Sequence, residues 1–400
     1  MRSKPPSITA RGKTARGKRQ ALKRPEGKAP SSRGRPSPGL PRRAPDRHRE
    51  PQPRPPEAPP RVRPLPLPSP PLAPGAGLWL WTCRAGFEPH LFEELAWAQG
   101  APRLLGPTLV ESRKPRSPPA FARMGFPVEA VLNGPLEGNA NKVAELLDRA
   151  AGDGPLHLQV WAPDADLYGP LHGRCRAWDE AISGVLRTAT LGSSAEAKLK
   201  GGILGQVCLI SPSLAAVGTV SAAEAWSLAA GGRQRMWREE GPSRAALKLE
   251  EALDRLGLAP GRGEVCVDLG AAPGGWSQRL LQRGARVVAV DPAKLAPELM
   301  RHPKLRHVQE SAFAFAPEEP VDWLFCDMAW RPLEVAQLLA KWARREWADA
   351  LVANLKLPMK DKNPIVFRAR ALLEDAGWRE PVIRQLYHDR DEVTVLARRR

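Results

Sequence analysis

The chain has 400 residues, with 61 Lys plus Arg against 43 Asp plus Glu, a formal net charge of +18, and five cysteines. That length suggests two or three domains, each able to build a core without disulfide or metal staples. The odd cysteine set contains no CxxC pair, no apolar run nears the roughly 18 residues that span a bilayer, and no apolar signal region opens the chain, so the expectation is a soluble, cytoplasmic protein.

In chain order, the first feature is a tail. Residues 1–74 hold 19 Lys plus Arg, 4 Asp plus Glu, 20 prolines and no aromatic residue, a net +15, which leaves only +3 for the other 326 residues. Six prolines between Pro51 and Pro60 exclude a helix interior or a central strand. With little apolar surface to bury, the segment is expected to be disordered and partly polyproline II. Three readings stay open: a nonspecific phosphate-binding arm, an extension or upstream start with no task of its own, and, weaker because dense proline spoils an amphipathic helix, an organellar transit peptide.

From Gly77 the composition turns globular. Leu78–Cys83 reads as a Trp-rich strand, and 87–99 has helical spacing at Phe87, Leu91, Leu95 and Trp97. Further strands are expected at 128–132 and Leu156–Trp161, with a helix at 139–151 between them and additional helices at 179–186 and 222–230. Short strands alternating with helices over 75–235 predict small α+β modules, with no cluster that reads as a catalytic or metal site.

Regular strand–helix alternation follows over 236–400. Ser243 can cap a helix running to Leu256, and Gly257 suits its left-handed stop. Val265–Leu269 is an apolar run of strand length that ends in a glycine turn at Gly270, Gly274 and Gly275, before helical spacing resumes over 277–283. Apolar runs at 287–290, 323–326 and 350–355 end at Asp291, Asp327 and Lys356. Polar residues at the ends of successive buried strands are what a doubly wound sheet offers its ligand crevice. The turn does not match GxGxxG, and Asp291 lies near the offset at which a carboxylate meets a ribose diol. This describes S-adenosylmethionine better than a dinucleotide, against the alternative of an ordinary βαβ unit with a glycine turn.

Four ionisable residues at element ends should face that crevice: Lys248, Asp327, Lys356 and Glu392. Two lysines in a partly desolvated cleft disfavour each other's charge, so a lowered lysine pKa is expected. Such a group could take a proton from a sugar hydroxyl. The alternative is a set of solvated charges and ion pairs.

The runs Ser243–Glu251, Val267–Trp276, Cys326-Asp327-Met328, Asn354–Lys360 and Arg384–Val395 together resemble the bacterial M-type 23S rRNA cytidine 2′-O-ribose methyltransferases, THUMP-containing relatives of FtsJ. Weaker likeness at Cys83–Glu88, Phe121–Arg123 and Leu156–Trp161 extends into the N-terminal half. The resemblance implies an α/β protein, with a C-terminal Rossmann-like methyltransferase fold over 236–400, ferredoxin-like or THUMP-type RNA-binding modules over 75–235, and the tail at 1–74. It implies that Lys248, Asp327, Lys356 and Glu392 form a tetrad with Lys356 as proton acceptor. It further implies that Ala272, Pro273, Gly274, Gly275, Asp291 and Asp327 bind S-adenosylmethionine, and that 23S rRNA or its precursor is the partner, with no metal and no membrane. Ser311 and Ala245 depart from the family's Asp and Ser, removing a polar contact each. Rival readings are the same chemistry on another RNA such as tRNA, and a silent RNA-binding or assembly factor. Trp276 is expected near the ligand, His388 in a structural hydrogen bond, and Cys266 and Cys326 as inert thiols on neighbouring strands.

Overall fold

The computed structural model describes residues 77–135, 138–233 and 245–399. The 1–74 tail and the cap expected at Ser243 lie outside the described residues. Three sheets follow one another along the chain.

The first comprises β1 (Leu78–Cys83), α1 (Glu88–Trp97), β2 (Arg103–Gly106), β3 (Leu109–Arg113) and β4 (Ala122–Pro127), in the antiparallel order β2-β3-β1-β4. The alternation of β1 uses both faces. Trp81 and Cys83 join one core with Leu91 and Leu95 of α1, while Leu80 joins another. Gly125 pairs with Trp81 across the sheet, and a Cβ there would lie 2.2 Å from the indole. Only glycine lets the Trp81 ring lie against β4.

The second sheet is built from β5 (Ala130–Asn133), α2 (Ala140–Ala151), β6 (Leu156–Trp161), α3 (Gly169–Ser183), α4 (Ser194–Leu199), β7 (Ile203–Ser211) and β8 (Leu214–Ser221). Its order is β5-β8-β7-β6, with only β6 and β7 parallel. Of the helix expected at 179–186, residues 179–183 are the last third of α3, which begins ten residues earlier at Gly169, where Pro170 and Gly173 mask its start, and ends at Ser183. The expected helix at 222–230 is absent. Its alanines favour a helix, but tertiary hydrogen bonds win: the Trp226 carbonyl accepts from Arg255 and Arg384, and the Trp226 indole donates to the Ala122 carbonyl. The strand expected at 128–132 begins at Ala130, because the Val128 N–H still donates to Leu78 of β1.

The third sheet follows α5 (Ala245–Leu256), which stops at Gly257 with φ +67° as expected. It contains β9 (Val265–Leu269), α6 (Gly275–Gln282), β10 (Arg286–Val290), α7 (Pro297–Met300), β11 (Leu305–Val308), β12 (Val321–Cys326), α8 (Pro332–Arg344), β13 (Ala348–Lys356), α9 (Lys362–Asp375), β14 (Arg379–Arg384) and β15 (Glu392–Arg398). The order is β11-β10-β9-β12-β13-β15-β14, with β15 antiparallel to both neighbours. Alternate residues of β9 feed two cores. Cys266 packs with Leu249 of α5 and Leu280 of α6, while Val267 and Leu269 pack with α8 and α9. Helices therefore cover both faces, and the direction of winding reverses between β9 and β12. That reversal opens a crevice at the carboxyl ends of these strands. The first sheet joins the α8/α9 side, where the Asn363 amide of α9 donates to the His90 carbonyl of α1 at 2.8 Å.

Candidate active site

At the reversal, the chain leaving β9 turns sharply at Gly270 (φ +77°) and Gly274 (φ +117°), both in the left-handed region. A Cβ on Gly274 would lie 2.1 Å from Leu299 of α7, and one on Gly270 would lie 2.5 Å from Met328. Neither position has room for a side chain, so the turn is bare backbone at both. Asp291, just past β10, braces it: one carboxylate oxygen accepts the Ala272 N–H at 3.1 Å and the other the Ala293 N–H at 2.7 Å. Below the turn, Asp268 is buried and accepts a 2.7 Å hydrogen bond from the Ser277 hydroxyl. Burial pushes its pKa up to about 7.

The four expected ionisable residues meet beside this turn. Lys356 ends β13 and stands opposite Glu392, the first residue of β15, in the strand register. Its Nζ donates to Asp327 Oδ1 at 2.6 Å and to Glu392, whose other oxygen pairs with Lys248 of α5. The charges alternate along the chain Lys248–Glu392–Lys356–Asp327, and Glu392 stands between the two lysines.

That placement reverses the expected lysine pKa. Burial alone would lower Lys356, but the Asp327 and Glu392 carboxylates outweigh it and hold its pKa above the ordinary lysine value. For Asp327, burial pushes upward, yet Lys356 and Lys248, with hydrogen bonds from Lys356 and Asn354, bring the carboxyl below its usual range. In this state Lys356 is an ammonium that orients groups, and it must shed its proton before it can accept one.

The neighbouring layer held residues to which the sequence attached no role. Asn354 and Thr394 pair two positions along the same strands, so period-two alternation places them on the face of Lys356 and Glu392. The Asn354 amide donates to Asp327 Oδ1 at 3.1 Å. Thr394 Oγ lies 2.8 Å from Asn354 Oδ1 and 3.0 Å from Asp389 Oδ2. A hydroxyl has one proton to give, and burial, reinforced by Glu392, raises Asp389 to about 8. Protonated Asp389 can thus donate to Thr394, which donates to Asn354, leaving the amide N–H for Asp327.

Trp276, expected near the ligand, is 3% exposed and packs edge-on against Phe325 at 6.1 Å. An indole behind the turn supports α6 from within. The imidazole of His388 makes no hydrogen bond through Nε2 among the described residues; the bond at this residue runs from its backbone N–H to Glu251. Cys266 and Cys326 are free thiols on the adjacent strands β9 and β12, and burial raises both, Cys326 to about 12. Ser311 is exposed and its hydroxyl accepts the Phe313 N–H in a local turn; Ala245 opens α5. No group of three His, Cys, Asp or Glu residues suited to a metal occurs among the described residues, and no helix there is long and apolar enough to cross a membrane.

A seven-stranded sheet with one antiparallel strand, a glycine turn after its inner strand β9 and acidic strand ends are the marks of a methyltransferase, and residues 242–342 match the FtsJ-like methyltransferase family. A ribosomal RNA large subunit methyltransferase M from Halorhodospira halophila is 36% identical, the similarity covering 80% of this chain and 96% of that protein. A protein of the same name from Stenotrophomonas maltophilia is 33% identical, over 81% and 97% respectively. The chain belongs to the ribosomal RNA large subunit methyltransferase M family.

Proposed function

We propose that the protein transfers a methyl group from S-adenosylmethionine to a ribose 2′-hydroxyl of ribosomal RNA, at a cytidine of 23S rRNA in the peptidyl-transferase region, in the cytoplasm. The observation that carries this reading is the Lys248–Glu392–Lys356–Asp327 cluster beside the glycine turn.

The crevice suits the cofactor. Its turn presents backbone at Gly270 and Gly274, and Asp291 is braced at the next strand end with lone pairs to spare for a diol. Ala272, Pro273, Gly274 and Gly275 would hold the amino-acid end with Asp327, and Asp291 the ribose. When bound, the cofactor supplies an electrophilic methyl on a sulfonium, which forms a C–O bond to the ribose as its C–S bond breaks. Lys356 Nζ is the acceptor for the 2′-hydroxyl proton. Water exclusion and an added positive charge near Lys356 both disfavour its ammonium, opposing the two carboxylates that stabilise it. Lys248 holds Glu392, and Asn354 holds Asp327, so the amine stays aimed while its protonation changes.

The test is transfer of isotope-labelled methyl by the full-length protein to deproteinised 23S rRNA, to large-subunit precursors and to tRNA, followed by nucleoside digestion. Label should appear as 2′-O-methylcytidine in 23S rRNA or its precursor. Label confined to tRNA contradicts the substrate, and none in any RNA contradicts the activity.

A further inference from the structure

The loop between β14 and β15, residues 385–391, carries Glu392 at its end, and the N-terminal sheet grips it. Arg84, just past β1, donates from Nη1 to the Asp389 carbonyl at 2.9 Å. Arg123 of β4 donates from Nη2 to the Tyr387 carbonyl at 3.2 Å and lies over the Tyr387 ring at 4.7 Å. The Gln385 N–H donates to the Ala120 carbonyl at 2.7 Å, and Arg384 reaches the carbonyls of Arg123 and Trp226 at 3.3 and 2.6 Å. These arginines reach across 305 and 264 residues to neutral carbonyls of one short loop. Arg123 also pairs through Nη1 with Asp164 Oδ2 at 3.3 Å, and in both arginines the bond to a loop carbonyl fixes geometry, since the planar fork offers donors in a set direction.

From the opposite side the same loop is tied to the reacting cluster. Glu251, one turn beyond Lys248 on α5, is fully buried and accepts the Tyr387 and His388 N–H groups at 2.8 and 3.1 Å. Asp389 accepts the Leu386 N–H at 2.8 Å and continues through Thr394 and Asn354 to Asp327. The Leu357 N–H, next to Lys356, donates to the Asp391 carbonyl at 2.7 Å.

We infer that Arg84 and Arg123 of the N-terminal sheet are positioning residues for methyl transfer, holding the 385–391 loop so that Glu392 and Asp327 stay aligned on Lys356. This rests on the proposed function, and it gives the N-terminal half a part in the chemical step beyond any part in RNA capture.

The decisive variants in the full-length protein are Arg84→Ala and Arg84→Lys, because Arg84 is only half-buried and its loss spares the core. Arg84→Ala should lower kcat about tenfold with KM for RNA and cofactor within about twofold, since small misplacements of reacting groups are costly. Arg84→Lys, which keeps a donor, should restore part of that loss. A nitrogen-15 NMR titration of lysine side chains should also show Lys356 losing its proton at lower pH in Arg84→Ala than in the unaltered protein. A raised KM for RNA with kcat unchanged would make Arg84 an RNA contact and overturn the inference, as would an unchanged kcat with an unchanged titration. If the unaltered protein transfers no methyl to any RNA while the titration still shifts, the proposed function fails and the positioning stands.

Discussion

Lys356 and Asp327 show how neighbours, more than burial, set the chemistry of a side chain. Both are largely withdrawn from water, and each is kept charged by the other and by a second charge of the cluster, Glu392 for Lys356 and Lys248 for Asp327. At nearby Asp389, burial, reinforced by Glu392, outweighs the pull of Lys248, and the pKa rises to about 8. An acid whose folded pKa is raised above its unfolded value of about 4 contributes stability that is full below that value and is lost as pH rises through the folded pKa. Asp268 and Glu94, both raised to about 7 chiefly by burial, add to the same trend. The melting temperature should therefore fall between about pH 5 and pH 8.5, and Asp389→Asn should flatten part of that fall. Parallel melting curves for variant and unaltered protein across that range would show that Asp389 does not titrate as described. None of this was legible in the sequence. It identified the four cluster residues but placed the lysines side by side, because the strand register that interposes Glu392 is a property of the sheet.

At the scale of elements, the C-terminal sheet was the legible part. Its inner strands β9, β10, β12 and β13 are covered on both faces, so they read as largely apolar runs, and the last three ended at Asp291, Asp327 and Lys356. The cluster was legible for the same reason, since Asp327 and Lys356 are strand ends and Glu392 is a strand start. The N-terminal sheets were harder. Strands such as β2 and β3 are short, and their partners are fixed by long-range pairing that no local pattern reveals. The missing helix at 222–230 is the clearest case: the segment offers the Trp226 carbonyl as acceptor to Arg255 and Arg384, and those arginines are far away in sequence. The support of the cluster by Asn354 and Thr394 was visible as alternation on paired strands, but only once the pairing was known, and Asp389 joins it from the loop before β15.

For the whole molecule, charge is divided unevenly. The net +15 of residues 1–74 and the +3 of the remainder separate a general attraction to polyanions from the machinery of the site. Removing 1–74 should weaken RNA binding at low salt and reduce the slope of affinity against salt concentration, because fewer counterions are released. The kcat should stay within about twofold, since the cluster and its loop draw on residues from Arg84 onward. Filter-binding across a salt series, with turnover measured at saturating RNA, checks both. An unchanged salt slope would assign the tail no part in phosphate contact.

The central claim is that the Lys248–Glu392–Lys356–Asp327 cluster methylates a ribose of 23S rRNA, and a nucleotide-resolved map of ribose methylation tests it most directly. The map should be drawn for 23S rRNA from cells lacking the gene, then restored with either the unaltered chain or Lys356→Ala. The expected result is loss of one 2′-O-methylcytidine in the peptidyl-transferase region, regained with the unaltered chain but not with Lys356→Ala produced at equal level. An unchanged map on deletion, or full restoration by Lys356→Ala, would contradict it.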